Sequence, residues 1–249
     1  MLHIRLRLHG MLSRFVAPAL RAPVIERRVA PGASLKHAVE ALGVPHTEIA
    51  MAVCNGKPGR MDAAVSDRDV LDLFDAASAR LDTTFGAAHA RRAATPIAPR
   101  FLADSHLGAL AQALRMAGFD TLYDNHYADA EIVVLARLDQ RTVLSRDREL
   151  LKRRGVDRGA YVHAQGRDAQ MHEVVARFQL APLAQPFRLC LRCNVRLRPM
   201  PLAQAAPRVP PRVLERCRHF TTCDACQRVF WEGTHFTRMR ERLSHWLAA

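Results

Sequence analysis

The chain has 249 residues, 49% of them hydrophobic and 24% charged, a globular composition that excludes a disordered chain. No run approaches ~18 uninterrupted apolar residues, so neither a membrane span nor a membrane partner is expected. The opening MLHIRLRLHG alternates where a secretory signal needs a continuous apolar core, which points to the cytoplasm. The net charge of +13 favours polyanionic partners, and the excess is concentrated: residues 188–249 hold 12 basic and 4 acidic groups, against 10 and 8 over 1–79 and 15 and 12 over 80–187.

Residues 3–9, HIRLRLH, alternate strictly and predict a strand. VIERRVAPG predicts a second strand ending in a turn. Ser34 is placed to cap a helix from Leu35 to Leu42, stopped by Gly43 and Pro45. IAMAVCNGKPG runs a strand into an Asn-Gly turn, a strong hairpin signal, and DVLDLFDA is the last strand. With Val53-Cys54-Asn55-Gly56 and Asp67-Arg68-Asp69-Val70, this β-β-α-β-β order resembles the ubiquitin-like β-grasp family of sulfur carriers over residues 1–78. Those carriers end in a free Gly-Gly tail. Here the strand runs on into Asp75-Ala-Ala-Ser-Ala-Arg, so the expected role is docking or structural, with a protein partner for residues 1–78.

Residues 79–99, rich in Ala, Arg, Thr and Pro, read as a linker. The stretch 100–185 alternates strands and helices. Phe101 to Ala103 is a short strand. Asp104 or Ser105 caps a helix carrying Leu107, Leu110, Ala111, Leu114 and Met116, which Gly118 closes. Phe119 to Tyr123 is a second strand. Asp129 opens a helix burying Ile132, Val133, Leu135 and Ala136. Arg141 to Leu144 is a third strand and Asp147 opens a third helix. Ala160 to His163 and Asp168 to Phe178 make a fourth pair. Repeated βα units imply a parallel sheet flanked by helices.

Ligands of such sheets bind beyond the carboxyl ends of the strands. Asp104, Asp124 and Asp147 follow strand ends, and Asp129 with Glu131 starts the helix between the second and third strands. Clustered carboxylates repel unless a cation neutralises them, and Mg²⁺ or Mn²⁺ suits oxygen ligands. Each acid is also a plain helix cap, and a cap can still give one oxygen to a metal. His106 and His126 read as surface histidines.

Cys190-x-x-Cys193 and Cys223-x-x-Cys226 are two knuckles with 29 residues between them. Two such turns complete a closed, structural Cys₄ zinc site, whereas redox CxxC motifs come singly. Cys54 and Cys217 read as small apolar residues. The Pro-rich stretch from Pro199 to Arg212 reads as a loop, and Phe236 to Leu247 as a helix packing back. Arg192 and Arg228 stand near the knuckles with Phe220, Phe230 and Trp231. Arginines interleaved with aromatics suit single-stranded RNA, and the same aromatics would serve a small ribbon as its core.

Asp129 followed 18 residues on by Ser145-Arg146-Asp147 resembles the PIN-type nuclease pattern. Asp104-Ser-His-Leu-Gly-Ala-Leu-Ala, Leu114-Arg-Met-Ala-Gly-Phe-Asp-Thr-Leu-Tyr-Asp, Pro186-Phe-Arg-Leu-Cys-Leu-Arg-Cys-Asn and Phe230-Trp-Glu-Gly-Thr-His extend the likeness, and nearly the whole chain resembles the Mut7-C nuclease family. That resemblance implies a multi-domain α+β and α/β protein: an N-terminal β-grasp over 1–78, a linker over 79–99, a PIN-like α/β domain over 100–185, and a Cys₄ zinc ribbon with a terminal helix over 186–249. It implies a ribonuclease whose Asp104, Asp129 and Asp147 hold catalytic Mg²⁺ or Mn²⁺, with Glu131 competing for the role of Asp129 and no organic cofactor; Asp124 is a further candidate acid, and the Ser145 hydroxyl would position a carboxylate, a metal-bound water or a phosphate. Arg146 and Arg148 would contact the RNA backbone beside Arg192 and Arg228. Many PIN domains carry a further helical acid between the first two strands, but residues 106–117 contain none. Two other classes stay open: an RNA-binding protein with an inactive acidic site, and an adaptor acting through the ubiquitin-like part.

Overall fold

Alternation along the first strand sets the N-terminal core. In the computed structural model, which describes residues 1–81 and 98–248, β1 (Leu2–His9) buries Ile4 and Leu6 and exposes His3, Arg5 and Arg7. β2 (Ile25–Val29), α1 (Leu35–Glu40), β3 (Met51–Cys54), β4 (Lys57–Pro58) and β5 (Val70–Phe74) follow. The sheet runs β2-β1-β5-β3-β4, with β1 parallel to β5 and antiparallel to β2. Ser34 caps α1 by accepting from the His37 N–H at 3.2 Å, and the helix stops short of Leu42. Asn55 and Gly56, both at positive φ, turn the β3–β4 hairpin, as a two-residue type I′ turn requires. Leu35, Ala38 and Val39 close over Ile4, Leu6, Leu71 and Leu73.

Asp75 explains why β5 does not end in a tail. Its carboxylate accepts from the Met11 N–H at 2.6 Å and from the Ser78 N–H and hydroxyl at 2.7 Å each. It thereby caps α2 (Ala76–Leu81) and grips the exit of β1. Burial pushes its pKa up, but these donors outweigh burial and hold the carboxyl below the usual aspartate value. Most of the linker read over 79–99 lies outside the described residues.

The central stretch runs β6 (Phe101–Ala103), α3 (Gly108–Met116), β7 (Thr121–Leu122), α4 (Asp129–Leu138), β8 (Thr142–Ser145), α5 (Arg148–Lys152), β9 (Gly159–Tyr161) and α6 (Arg167–Phe178). β6 pairs in parallel with β7, and β8 with β9. Helices flank the strands, as the βα alternation implies. In α4 only Ile132 and Ala136 are buried, while Val133 and Leu135 are half-buried. Five residues expected as strand around Thr121 contract to two.

Past the first knuckle come β10 (Arg198–Met200), α7 (Leu202–Ala205), α8 (Pro211–Arg216), β11 (Phe220–Thr222), β12 (Val229–Trp231) and α9 (Thr234–Leu247). The three strands form an antiparallel sheet in the order β10-β11-β12. The Pro-rich excursion is therefore structured, not a loop. Pro211 occupies the first turn of α8, where proline's fixed φ and missing N–H cost nothing. Met200, Ala205, Val209 and Phe220 pack as a small core of their own. Among the described residues no helix is long and apolar enough to cross a membrane.

By internal packing the chain forms two units, Met1–Ile97 with Asp129–Tyr161, and Ala98–Ala128 with Val162–Ala249. Within the first, the β-grasp part is fastened to β9 and α5. Glu48, 4% exposed, accepts from the Tyr161 N–H at 2.6 Å. The His46 ring lies 3.0 Å from the Val156 carbonyl and 2.7 Å from Glu40. Phe15 and Tyr161 meet edge to face at 5.4 Å.

Candidate functional site

The cysteines of the two knuckles converge. Cys190, Cys193, Cys223 and Cys226 place their sulfurs within 4.8 Å of one another, and Cys190 and Cys226 are 3.8 Å apart. Both turns are built alike. The residue after the second cysteine, Asn194 or Gln227, sits at positive φ. Its N–H returns to the carbonyl of the first cysteine at 2.9 Å and 2.8 Å respectively. Asparagine tolerates that conformation well, so half of this geometry was readable after Cys193. Four thiols in this arrangement can hold a zinc ion with no position left open. Burial, reinforced by the neighbouring thiols, pushes the Cys193 thiol up to about 12. The Arg228 N–H draws Cys226 down to about 7.

Arg115, which no motif in the sequence singles out, also serves this centre. This guanidinium, 4% exposed at the end of α3, donates to the Thr121 carbonyl at 2.8 Å and to the Leu191 and Arg192 carbonyls at 3.0 and 2.8 Å. The last two lie inside the first knuckle. Burial lowers the Arg115 pKa, and the negative charge available to Cys190 and Cys193 opposes that shift. Asn194 completes the attachment. Its Oδ1 accepts from the Thr121 N–H at 3.0 Å and its Nδ2 donates to Asp120 at 2.5 Å. Gly118, at φ +93°, lets the incoming chain pass, since a Cβ there would overlap the Gln185 carbonyl. A basic residue beside the buried stripe Leu110–Ala111–Leu114 was the one available hint.

Of the acids, Asp104 follows β6 and is 7% exposed. It accepts from the Ser105 N–H at 2.6 Å and the Ser105 hydroxyl at 3.2 Å. Asp124 is exposed and accepts from the His126 N–H at 2.9 Å, with the His126 ring 3.0 Å away. The N–H bond first, then the ring, hold its carboxyl below the usual range.

In the other unit, Asp147 follows β8 and caps α5 through the Glu149 N–H at 2.8 Å. The buried Ser145 hydroxyl accepts from the Asp147 N–H at 2.8 Å. Asp129 opens α4 and pairs with Arg153 at 2.8 Å. Glu131 lies in the same first turn and is exposed. Among the described residues, the cysteines form the one group of three or more metal-ligating side chains that converge. Arg146 is half-buried and Arg192 and Arg228 are exposed. Arg148 donates to the Phe15 carbonyl at 3.0 Å and lies over the Phe15 and Tyr161 rings, so its charge fastens the β-grasp part to α5.

The chain thus combines a β-grasp sheet, parallel strand pairs flanked by helices with acids at strand ends, and a four-cysteine centre. A family model for the Mut7-C RNAse domain matches residues 99–243, and one for Mut7-C ubiquitin matches residues 1–78. The chain belongs to the Mut7-C RNAse domain family. No curated protein matches it. The crystal structure of H. volcanii small archaeal modifier protein 1 is similar over 30% of this chain and 98% of its own, at 19% identity and a TM-score of 0.25.

Proposed function

We propose that this chain is a metal-dependent ribonuclease that hydrolyses phosphodiester bonds of single-stranded RNA. Its parts are a ubiquitin-like domain over 1–78, a linker over 79–99, a PIN-like nuclease domain over 100–185 and a zinc ribbon over 186–249. One observation supports this most. Asp104 and Asp147 each follow the carboxyl end of a parallel strand, the edge where α/β sheets take ligands, and both lie in the stretch matched by the RNAse family.

Carboxylate oxygens are the donors Mg²⁺ or Mn²⁺ takes, and Mg²⁺ characteristically uses one or two carboxylates with waters and substrate phosphate. Asp104 and Asp147 fit that chemistry as principal ligands, with Asp129, Glu131 and Asp124 in support. When bound, such an ion supplies a water of lowered pKa and offsets charge on the leaving oxygen. The chain's own residues hold and orient. The Glu149 N–H fixes one oxygen of Asp147, and the Ser145 hydroxyl fixes the Asp147 main chain. Arg146, Arg192 and Arg228 take phosphates by charge-assisted hydrogen bonds.

The test is cleavage of an end-labelled single-stranded RNA with Mn²⁺ or Mg²⁺, against EDTA and against Asp104→Asn and Asp147→Asn. Loss of metal-dependent cutting in both variants supports the site. A folded, zinc-loaded wild type that does not cut, or variants that cut equally, refutes it. A second reading, RNA binding without cleavage, is favoured by how these acids are engaged: Asp104 and Asp147 as caps and Asp124 with His126.

A further inference from the structure

The ribbon carries a cavity of about 540 Å³, inside the roughly 300–1,000 Å³ range of ligand sites. Phe187, Phe230, Trp231 and Phe236 line it. The ribbon's own core is built on the 3% exposed Phe220, with Trp231 packed against it, whereas Phe187, Phe230 and Phe236 stand outside that core and all four lining rings are half-buried. Phe187 is held at φ +58°, a conformation strained for a bulky residue, and its ring lies 4.5 Å from that of Phe236. Backbone strain of this kind gathers at ligand sites.

A second cleft, of about 350 Å³, is lined by Arg167, Arg238 and Arg242. The two spaces share Leu191, His235 and Met239 as walls, so they adjoin. Arg238 and Arg242 lie one turn apart on α9, exposed, and neither pairs with an acid among the described residues. Arg167 touches Asp168 at 3.4 Å and lies over the Trp246 ring.

We infer that this pair of spaces is a subsite for single-stranded RNA, with an unpaired base among the aromatic rings and the flanking phosphates on the arginines. The inference rests on the ribonuclease reading and adds where the strand is gripped. Aromatic faces take any base by stacking, and arginines take the phosphates either side of it. An apolar peptide would satisfy the cavity but would leave the neighbouring cationic cleft unmatched.

The experiment uses the full zinc-loaded chain, without added Mg²⁺ or Mn²⁺. Anisotropy follows binding of a labelled ten-nucleotide oligouridine and of an abasic ribose-phosphate strand of equal length. The chains compared are wild type, Phe230→Leu/Phe236→Leu and Arg238→Ala/Arg242→Ala. The aromatic pair should weaken oligouridine binding about tenfold or more and leave the abasic strand unaffected. The arginine pair should weaken both strands and lower the salt slope by about 1.4, roughly 0.7 per phosphate contact.

Zinc content and unfolding temperature verify that each variant is folded, and 4-thiouridine crosslinking of wild type gives a mutation-free readout at Phe187, Phe230, Trp231 or Phe236. Oligouridine bound no better than the abasic strand, variants that bind as wild type, or crosslinks confined to other segments overturn the subsite. Cleavage is scored separately. RNA bound here but never cut sinks the nuclease and keeps the subsite, whereas RNA cut with these variants unimpaired does the reverse.

Discussion

Replacing Arg115 with methionine tests whether the four-cysteine centre depends on α3. The change preserves length and apolar bulk but removes the donor to the Thr121, Leu191 and Arg192 carbonyls, held at 2.8, 3.0 and 2.8 Å. A hydrogen bond from a charged group contributes about 1.5–3 kcal/mol, and a buried acceptor left without its donor costs about 1–3 kcal/mol. The guanidinium's own desolvation offsets part of this, so the net loss summed over the three carbonyls should be about 3–5 kcal/mol.

At about 2–4 °C per kcal/mol for a chain of this size, the unfolding temperature should fall roughly 6–20 °C. Two of the three carbonyls belong to the Cys190–Cys193 turn, so zinc release to a chelating dye should also quicken. Arg115→Lys keeps the charge but not the fork of donors and should fall between. If Arg115→Met unfolds within about 2 °C of wild type and yields zinc at the same rate, the attachment carries no energy and the reasoning fails.

Three further outcomes follow from other contacts. Asp75 has a depressed pKa in the folded chain. Its stabilisation is therefore fully present above the unfolded value of about 3.9 and is lost as pH falls through the folded one. The gap in urea midpoint between wild type and Asp75→Asn should be widest near neutrality and close below that range. Zinc content should be one ion per chain by elemental analysis and should collapse in Cys223→Ser. EDTA should strip wild type faster at lower pH, because protons compete for the thiolates. Glu48→Ala leaves the Tyr161 N–H without its 2.6 Å partner and should cost about 1–3 kcal/mol, visible as faster amide exchange at Tyr161.

Local signals were legible where a residue's role is set by its immediate neighbours. Ser34 caps α1, Asn55-Gly56 turns the hairpin, Asp147 caps α5, Asp104 caps the single 3₁₀ turn Ser105–Leu107 that leads into α3, and the four cysteines meet. Features made by distant partners were not. Arg115 finds acceptors 76 and 77 residues away, and Arg148 finds Phe15 at a separation of 133; spacing along the chain encodes neither. The Pro-rich stretch was misread because composition names turn-formers without saying that Pro211 begins a helix that packs on Phe220 through Val213 and Leu214. The strain at Phe187 has no signature in the sequence, because phenylalanine is an unusual choice at positive φ.

Asp129 ties the cap-like engagement of the acids to their proposed role. Its partner Arg153 supplies the positive charge that a divalent ion would otherwise bring, at 2.8 Å, but both side chains are 40–49% exposed. An ion pair that open is worth at most about 1 kcal/mol, roughly a fivefold factor in an equilibrium. A metal can therefore displace Arg153 at small cost, and pairing with it is no obstacle to ligation. Removing the competitor should then help. Arg153→Gln should lower the Mn²⁺ concentration for half-maximal RNA cleavage by up to about fivefold while leaving the Asp104→Asn background inactive. An unchanged metal requirement, with the fold intact, would take Asp129 out of the ligand set and leave it as the opening residue of α4.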